Sequence, residues 1–271
     1  MTALAGKVFV VTGGGNGIGR EVVRQLLANG ARVAAVDLSE DRLDETRVMV
    51  QSLADRLSTH VVNITDRDAV MALPEAVVAA HGQVDGVVNV AGIIQRFVPF
   101  AELSLEEIER VMSVNFWGTV SMVQAFLPLL LSRPRASIVN VSSMGGFIPV
   151  PGQTVYGASK AAVKLFTEGL HSELRGTNVK VTVVFPGGVA TSITANSGVH
   201  MPAVAGATPP KGAPSLTTPA EAASVIVKAI ERGSYRVVIG KDAKAMDILT
   251  RLVPERAMTT IADQMASLLK R

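Results

Sequence analysis

The chain has 271 residues, of which 48% are hydrophobic and 18% are charged, and its formal net charge is +3. This composition suits a large buried core and excludes a disordered chain. There is no cysteine, so disulfides and thiolate chemistry are excluded. There is also no run of Lys or Arg, so we expect no nucleic-acid partner, and no metal site is predicted.

Two segments bear on the location of the protein. Residues 1–7 lack the order of a secretory leader, so we expect a cytoplasmic protein. Residues 111–132 carry no charge and are long enough to span a bilayer. Their polar residues and proline would be costly against lipid, so we predict a helix buried in the core or at a subunit interface, and no membrane contact.

The first elements are a strand, a glycine-rich loop and a helix. Residues 7–11 form a short run that is apolar after Lys7, and a helical pattern follows the loop and closes at Asn29 and Gly30. Glycines let the backbone approach a phosphate, whose charge meets the free N–H groups of the helix N-terminus. This order of elements is typical of a dinucleotide-binding unit. The loop reads Thr12, Gly13, Gly14, Gly15, Asn16, Gly17, Ile18, Gly19.

An acidic residue ends the second predicted strand, residues 32–36. Asp37 follows the loop by about twenty residues, where a carboxylate can accept hydrogen bonds from the hydroxyls of an adenosine ribose. The same carboxylate would repel a 2′-phosphate. The positions where a basic residue would bind that phosphate hold Asn16 and Leu38. We therefore predict NAD as the cofactor in preference to NADP.

Strands and helices alternate along the rest of the chain. Further strands are predicted at residues 59–62, 85–90, 136–141, 179–185 and 236–239, with helices between them. Few strand positions are polar, which argues for a parallel sheet covered on both faces. The predicted fold class is α/β, a Rossmann-type doubly wound parallel sheet of about seven strands, in a single domain over residues 1–271.

Two segments depart from this alternation. Residues 191–217 are rich in Gly, Pro, Ala and Ser and are too long for an ordinary connection, so we predict a lid over the substrate pocket. Residues 241–271 form a predicted C-terminal helical tail, which we expect to pack on its own subunit or on a neighbour. Its apolar residues at helical spacing are Met258, Ile261, Met265 and Leu268.

Tyr156 and Lys160 lie four residues apart in a predicted helix and therefore share one face. An ammonium beside a phenol favours the phenolate and lowers its pKa, so the pair is suited to proton transfer. Ser142 and Ser143 directly follow the preceding predicted strand, residues 136–141. Either hydroxyl could hydrogen-bond the oxygen that gains or loses the proton.

Taken in order, these motifs resemble those of the short-chain dehydrogenase/reductase (SDR) family over roughly residues 7–191. The glycine loop looks like that family's cofactor loop. Asn89-Val90-Ala91-Gly92 is similar to its Asn-Asn-Ala-Gly motif, with Val90 replacing the second Asn, and Asn63 stands where the family usually has Asp. Four residues fall at its catalytic spacings: Asn115, Ser143, Tyr156 and Lys160.

The resemblance implies hydride transfer between NAD and an alcohol or ketone. Tyr156 would be the general acid or base, and Lys160 would lower its pKa and bind the nicotinamide ribose. Ser143, favoured over Ser142 by the family's spacing, would orient the reacting oxygen, and Asn115 would hold a water linking Lys160 to solvent. The implied cofactor-binding residues are Gly13, Gly15, Asn16, Gly17, Ile18, Gly19, Asp37, Leu38, Asn63, Ile64, Asn89, Ala91, Gly92, Tyr156, Lys160, Pro186, Gly187, Val189 and Thr191.

A mostly apolar substrate pocket is predicted, which favours a largely apolar small molecule bearing a secondary alcohol or ketone. A non-catalytic NAD-binding sensor, a 3-oxoacyl thioester reductase of the same family and a sugar-nucleotide epimerase stay open as alternatives. The uncharged helix around Asn115 and the apolar face of the Tyr156 helix favour a homo-oligomer, a dimer or homotetramer. The predicted pocket residues are Ile94, Gln95, Phe97, Ser143, Gly145, Val150, Gln153 and Tyr156.

Overall fold

The computed structural model describes residues 3–199 and 216–265. Seven strands in this part of the chain form one sheet, in which every neighbouring pair is parallel and the order is β3-β2-β1-β4-β5-β6-β7. This confirms the predicted fold class. The strands are β1 (Val8–Thr12), β2 (Arg32–Asp37), β3 (Leu57–Val61), β4 (Gly86–Asn89), β5 (Ala136–Val141), β6 (Val179–Pro186) and β7 (Arg236–Ile239).

Helices cover both faces of the sheet, because alternate strand residues point to opposite faces. Phe9 and Val11 belong to a core that includes α1 and α8, whereas Val8 and Val10 belong to a core that includes α3, α5 and α6. The described helices are α1 (Gly17–Ala28), α2 (Glu40–Met49), α3 (Arg67–His81), α4 (Leu105–Met112), α5 (Gly118–Leu131), α6 (Thr154–Glu173), α7 (Ile193–Asn196), α8 (Pro219–Arg232), α9 (Lys241–Leu252) and α10 (Pro254–Met265).

The strand order explains where a ligand can bind. From β1 the sheet extends one way to β2 and β3 and the other way to β4, so the order reverses between β1 and β4. In open parallel sheets, ligands bind at the carboxyl ends of the strands beside such a reversal. The loops after β1, β2 and β4 all lie at this edge.

The helix predicted at residues 111–132 is more complex than expected. A π-helical turn, Ser113–Trp117, joins α4 to α5 and contains Asn115. Residues Leu105–Leu131 together are long and apolar enough to cross a membrane, and half of the most apolar window is buried against the rest of the protein. Core helices of soluble proteins pass the same test, so this is weak evidence for a span.

Most of the predicted lid, residues 200–215, lies outside the described residues. Its two ends are described: α7 follows β6, and Val189 pairs with Thr217 in an isolated bridge. The predicted tail begins with two helices, α9 and α10. Thr218 and Glu221 form a capping box that starts α8.

Candidate active site

The loop between β1 and α1 is shaped by close backbone contacts. The Asn16 side chain caps α1 by accepting a hydrogen bond from the Gly17 N–H, at 2.6 Å. At Gly19, an added Cβ would lie 2.1 Å from the Gly13 carbonyl oxygen, so only glycine fits there. Gly13 has a φ of +70°, which favours glycine. These contacts hold the N-terminus of α1 open toward the cleft, as a phosphate site requires.

Thr12 joins this loop to the end of β4. Its hydroxyl accepts hydrogen bonds from the N–H groups of Val90, at 3.0 Å, and Ala91, at 3.2 Å. The glycine loop and the segment after β4 therefore form two walls of one cleft.

Asp37, at the end of β2, lies at the far end of the same cleft. Its carboxylate accepts hydrogen bonds from the Gly15 N–H at 3.0 Å and the Ser39 N–H at 3.1 Å. A Cβ at Gly15 would come within 2.8 Å of both Asp37 Oδ2 and the Cβ of Arg42. Arg42, which the sequence reasoning missed, therefore borders the site beside Asp37. Its side chain has no hydrogen-bond partner among the described residues, and it lines the cleft.

The cleft has a volume of about 240 Å³. Glycine-lined walls, an open helix N-terminus and a carboxylate at the end of β2 suit a dinucleotide: the first two accept phosphates and the third accepts ribose hydroxyls. Twelve of the predicted cofactor residues line it: Gly13, Asn16, Gly17, Ile18, Gly19, Asp37, Leu38, Asn63, Ile64, Ala91, Gly92 and Thr191. Residues that line it without having been predicted are Val36, Arg42, Val62, Val90, Ile93, Val114, Ile193 and Asn196.

Several predicted cofactor residues do not line this cleft. Asn89 is buried between β4 and β5, where its amide nitrogen donates to Asn140 Oδ1 at 2.9 Å. Pro186, Gly187 and Val189 lie in the segment at and after the end of β6. Asp242, at the start of α9, holds that segment by accepting a hydrogen bond from the Gly188 N–H at 2.7 Å. The predicted residues Gly15, Tyr156 and Lys160 also lie outside the lining.

The catalytic candidates meet where β5 ends and α6 begins. The Ser143 hydroxyl accepts a hydrogen bond from the Gly145 N–H at 3.1 Å, and Ser143 and the Tyr156 ring lie on the same side of Gly145. Ser142 is buried, and its hydroxyl donates to the main-chain carbonyl of Lys160 at 2.7 Å. Ser143 is therefore the serine that faces Tyr156, whereas Ser142 joins β5 to α6.

Lys160 is buried, and its ammonium lies 6.0 Å from the centre of the Tyr156 ring. It donates a hydrogen bond to the Val141 carbonyl at 3.1 Å. Burial lowers the pKa of Lys160 to about 8. Burial also raises the pKa of Tyr156 above its ordinary value, and the hydrogen bond from Ser143 opposes this only partly. Burial therefore sets the direction of the Tyr156 pKa shift, and the expected lowering by Lys160 is not found.

Asn115 connects the helix region to the end of β4. Its amide nitrogen donates to the Ile93 carbonyl and to Ser159 Oγ, both at 2.9 Å, and its Oδ1 accepts from the Ile93 N–H at 2.8 Å. A Cβ at Gly92 would lie 3.0 Å from the Lys160 ammonium and 3.2 Å from Asn115 Oδ1. Asn115 and Lys160 therefore flank the same glycine, and the π-helical turn brings Asn115 there.

A second cavity, of about 660 Å³, lies beside the Ser143 loop. The predicted pocket residues Gly145, Val150 and Gln153 line it, together with Met258, Thr259 and Ala262 of α10. Residues 154, 157, 158 and 161 of α6 also line it, and their spacing places them on a face turned away from Tyr156 and Lys160.

Ile94 and Gln95 belong to the predicted substrate pocket, and the structure places both in the loop after β4. Both are buried and neither lines either cavity. Ile94 donates its N–H to Ser197 Oγ at 2.9 Å, and the Gln95 side chain binds the start of α6. Phe97 does not line either cavity.

The family model described as short chain dehydrogenase matches residues 7–201. The chain belongs to the short-chain dehydrogenase family. SadH of Mycobacterium tuberculosis, which is named an oxidoreductase, is 38% identical over 259 residues, covering 93% of each chain. Membership of this oxidoreductase family confirms the resemblance drawn from the motifs.

Solved structures of the family share the fold. A short chain dehydrogenase/reductase from Burkholderia phymatum in complex with NAD superposes with a TM-score of 0.83 at 26% identity, covering 94% of this chain and 96% of that one. A short chain dehydrogenase from Burkholderia cenocepacia in complex with NADP gives a TM-score of 0.78 at 26% identity, with 96% and 99% covered. Short-chain dehydrogenases similar to this chain thus bind either dinucleotide.

Proposed function

We propose that this short-chain dehydrogenase uses NAD(H) to interconvert a secondary alcohol and a ketone on a largely apolar small molecule. The observation that carries the proposal is the convergence of Ser143 and Tyr156 around Gly145. A Cβ placed on Gly145 would lie 3.4 Å from the Tyr156 ring and 3.5 Å from Ser143 Oγ. The Ser143 hydroxyl and the Tyr156 ring thus flank one glycine, and we propose that a substrate oxygen hydrogen-bonds the hydroxyls of both residues there. The nicotinamide, when bound, accepts or supplies the hydride.

Tyr156 moves the proton in this proposal. It takes the proton of the alcohol during oxidation and returns it to the ketone oxygen during reduction. Ser143 donates a hydrogen bond to the reacting oxygen and stabilises the charge that develops there. The buried ammonium of Lys160 favours the Tyr156 phenolate, because a positive charge in a site with little water acts over several ångströms.

Ser142 and Ser143 provide a matched test of these roles. Ser143→Ala should lower kcat by about 10²-fold or more, the usual effect of losing one oxyanion donor, with little change in NADH affinity. Ser142→Ala should mainly destabilise the fold, because its hydroxyl binds the Lys160 carbonyl. The assay follows NAD⁺ reduction with a panel of apolar secondary alcohols. Equal kcat values for the two variants would remove the proposed role of Ser143.

The preference for NAD is part of the proposal and rests on Asp37. Its carboxylate lies in the cleft, where it would accept hydrogen bonds from ribose hydroxyls and repel a 2′-phosphate. Arg42 is the opposing feature, because its guanidinium could bind a 2′-phosphate if the carboxylate were absent. We expect Asp37→Ala to weaken NADH binding and strengthen NADPH binding. The double variant Asp37→Ala/Arg42→Ala should lose this gain in NADPH affinity.

Nicotinamide fluorescence titrations with NADH and NADPH test this preference. If wild-type protein binds NADPH more tightly than NADH, the assignment of Asp37 is wrong. If Asp37→Ala gains NADPH affinity and the double variant keeps it, Arg42 is not the phosphate ligand.

The same assays also test two alternative functions for this protein. A chain that binds NADH but turns over none of the alcohols or ketones would fit a non-catalytic NAD-binding sensor. Turnover of an acetoacetyl thioester in preference to simple ketones would fit a 3-oxoacyl reductase. The presence of Tyr156 and Ser143 favours catalysis, because a pure binder has no physical need for them.

We also propose a homo-oligomer. Trp117, Leu131 and Leu165 are large apolar side chains that are roughly half exposed or more, and they lie on the π-helical turn, α5 and α6. Burying them against a second copy would form a dimer or tetramer. Light scattering that shows a stable monomer at micromolar concentration would contradict this. A cytoplasmic location stays a prediction that cell fractionation tests.

A further inference from the structure

The start of α6 has an unusual cap. Helices usually begin at Ser, Thr, Asp or Asn, whose side chain binds the free N–H groups of the second and third helical residues. At α6 the cap position is Gln153, and its side chain makes no capping hydrogen bond. The two N–H groups that need a partner belong to Val155 and Tyr156, the second and third residues of the helix.

Gln95 supplies the missing acceptor from a distant segment. Its Oε1 accepts hydrogen bonds from the Val155 N–H at 2.7 Å and from the Tyr156 N–H at 3.0 Å. Gln153 completes the arrangement by donating its amide to the Gln95 main-chain carbonyl at 2.9 Å. The Gln95 side chain is fully buried, so water cannot replace it. The segment after β4 thus fixes the first turn of the helix that bears Tyr156.

We propose that Gln95 is a positioning residue, which caps α6 from the loop after β4 and thereby fixes the Tyr156 hydroxyl against Ser143. The loop after β4 is itself anchored on both sides of Gln95. Ile94 donates to Ser197 Oγ, and Arg96 forms an ion pair with Glu107 at 2.8 Å. The cap is therefore attached to a fixed support. The catalytic part of this inference rests on the proposed function, whereas the cap itself does not.

The chemistry of the cap defines the variants. Gln95→Met keeps the volume but removes the acceptor, which leaves two buried N–H groups without a partner. Gln95→Glu keeps an acceptor oxygen, and it loses only an amide nitrogen that has no partner among the described residues. A carboxylate is also favoured at a helix N-terminus. Thr218→Ala is the matched control, because it removes the cap of α8, away from the catalytic residues.

A substrate-free measurement tests the cap directly. The chain has only two tyrosines, so Tyr235→Phe leaves Tyr156 as the single phenol whose near-ultraviolet absorbance reports its titration. Burial is the main reason that the Tyr156 pKa is raised. Fraying of the first turn would admit water, so in this background Gln95→Met should lower the Tyr156 pKa toward about 10, its ordinary value. Gln95→Glu and Thr218→Ala should leave it raised.

Kinetics test the catalytic part. Gln95→Met should lower kcat by roughly 10- to 100-fold, since a displacement of about 1 Å costs that much, with NADH affinity within about twofold. Gln95→Glu should keep most of the wild-type kcat when each protein is assayed at the pH where it is most active. An unchanged Tyr156 pKa in Gln95→Met, or a loss of activity no greater than in Thr218→Ala, would overturn the inference.

Two further measurements keep the proposal testable. If Gln95→Met does not fold, Gln95→Asn replaces it, because its side chain is one methylene too short to reach both N–H groups. In the wild-type protein, the amide hydrogens of Val155 and Tyr156 should exchange slowly, and fast exchange there would refute the cap.

The variant Tyr156→Phe separates the cap from the proposed function. If Tyr156→Phe does not lower kcat, the proposed function is refuted, whereas the inference about the cap is unaffected.

Discussion

Gly19 gives the sharpest test of the cofactor loop. An alanine there would place its Cβ 2.1 Å from the Gly13 carbonyl oxygen and 2.6 Å from its carbon. Both atoms are backbone, so no side chain can rotate away. The contact must lengthen by roughly 1 Å to become an ordinary van der Waals contact, which displaces the loop from α1.

The expected loss of NADH affinity follows from this displacement of the loop. Overpacking of a well-ordered site typically costs about 1–3 kcal/mol. A loop moved by about 1 Å also no longer directs its N–H groups at a phosphate. Because each 1.4 kcal/mol is about tenfold in affinity, we expect Gly19→Ala to weaken NADH binding by roughly 10- to 100-fold. The assay is a titration of nicotinamide fluorescence, with urea unfolding to measure stability.

Gly169→Ala is the matched control. Gly169 also lies within a helix, α6, but an added Cβ there would meet no heavy atom within 4 Å. Alanine is favoured over glycine in a helix interior by about 1 kcal/mol, so this variant should be slightly more stable and bind NADH normally. If the NADH affinity of Gly19→Ala stays within about twofold of the wild-type affinity, the assigned role of the loop is refuted.

Three further predictions concern the catalytic group. Tyr156→Phe should lower kcat by about 10²- to 10⁴-fold with unchanged NADH affinity, and a variant that keeps most of its activity would contradict proton transfer by Tyr156. Asn115→Ala leaves the main-chain N–H and carbonyl of Ile93 without their partner. Urea unfolding should therefore show that the free energy of unfolding falls by roughly 2–4 kcal/mol, and a decrease under about 0.5 kcal/mol would contradict the structural role of Asn115. Because burial lowers the pKa of Lys160 to about 8, the unfolded chain binds more protons between pH 8 and 10.5. Stability should therefore rise with pH across that window in wild type, and this contribution should be absent from Lys160→Met.

Local patterns predicted the parts of the site that lie within single elements. The pair Tyr156 and Lys160 is set by the helical repeat, and Gly13 and Gly19 by the tight turn from β1 into α1. The parallel sheet was also predicted, because strands that alternate with helices along the chain favour a parallel sheet covered on both faces. These features depend on residues that are close in sequence.

Features that depend on tertiary contacts were missed. The acceptor that caps α6 is Gln95, about sixty residues before the helix. Arg42 reaches the cleft only because α2 starts beside Gly15, and Met258 reaches the second cavity only because α10 packs near the Ser143 loop. The effect of burial on the Tyr156 pKa also had no signal in the sequence, because spacing gives neighbours but not solvent exposure.

One comparison tests the proposed function most directly: NAD⁺ reduction by wild-type protein and by Tyr156→Phe, side by side, with apolar secondary alcohols as substrates. The proposal predicts turnover by the wild type, and a variant that binds NADH equally well but turns over at about a hundredth of the rate or less. Binding of NADH with no turnover by the wild type, or equal rates for both proteins, would contradict it.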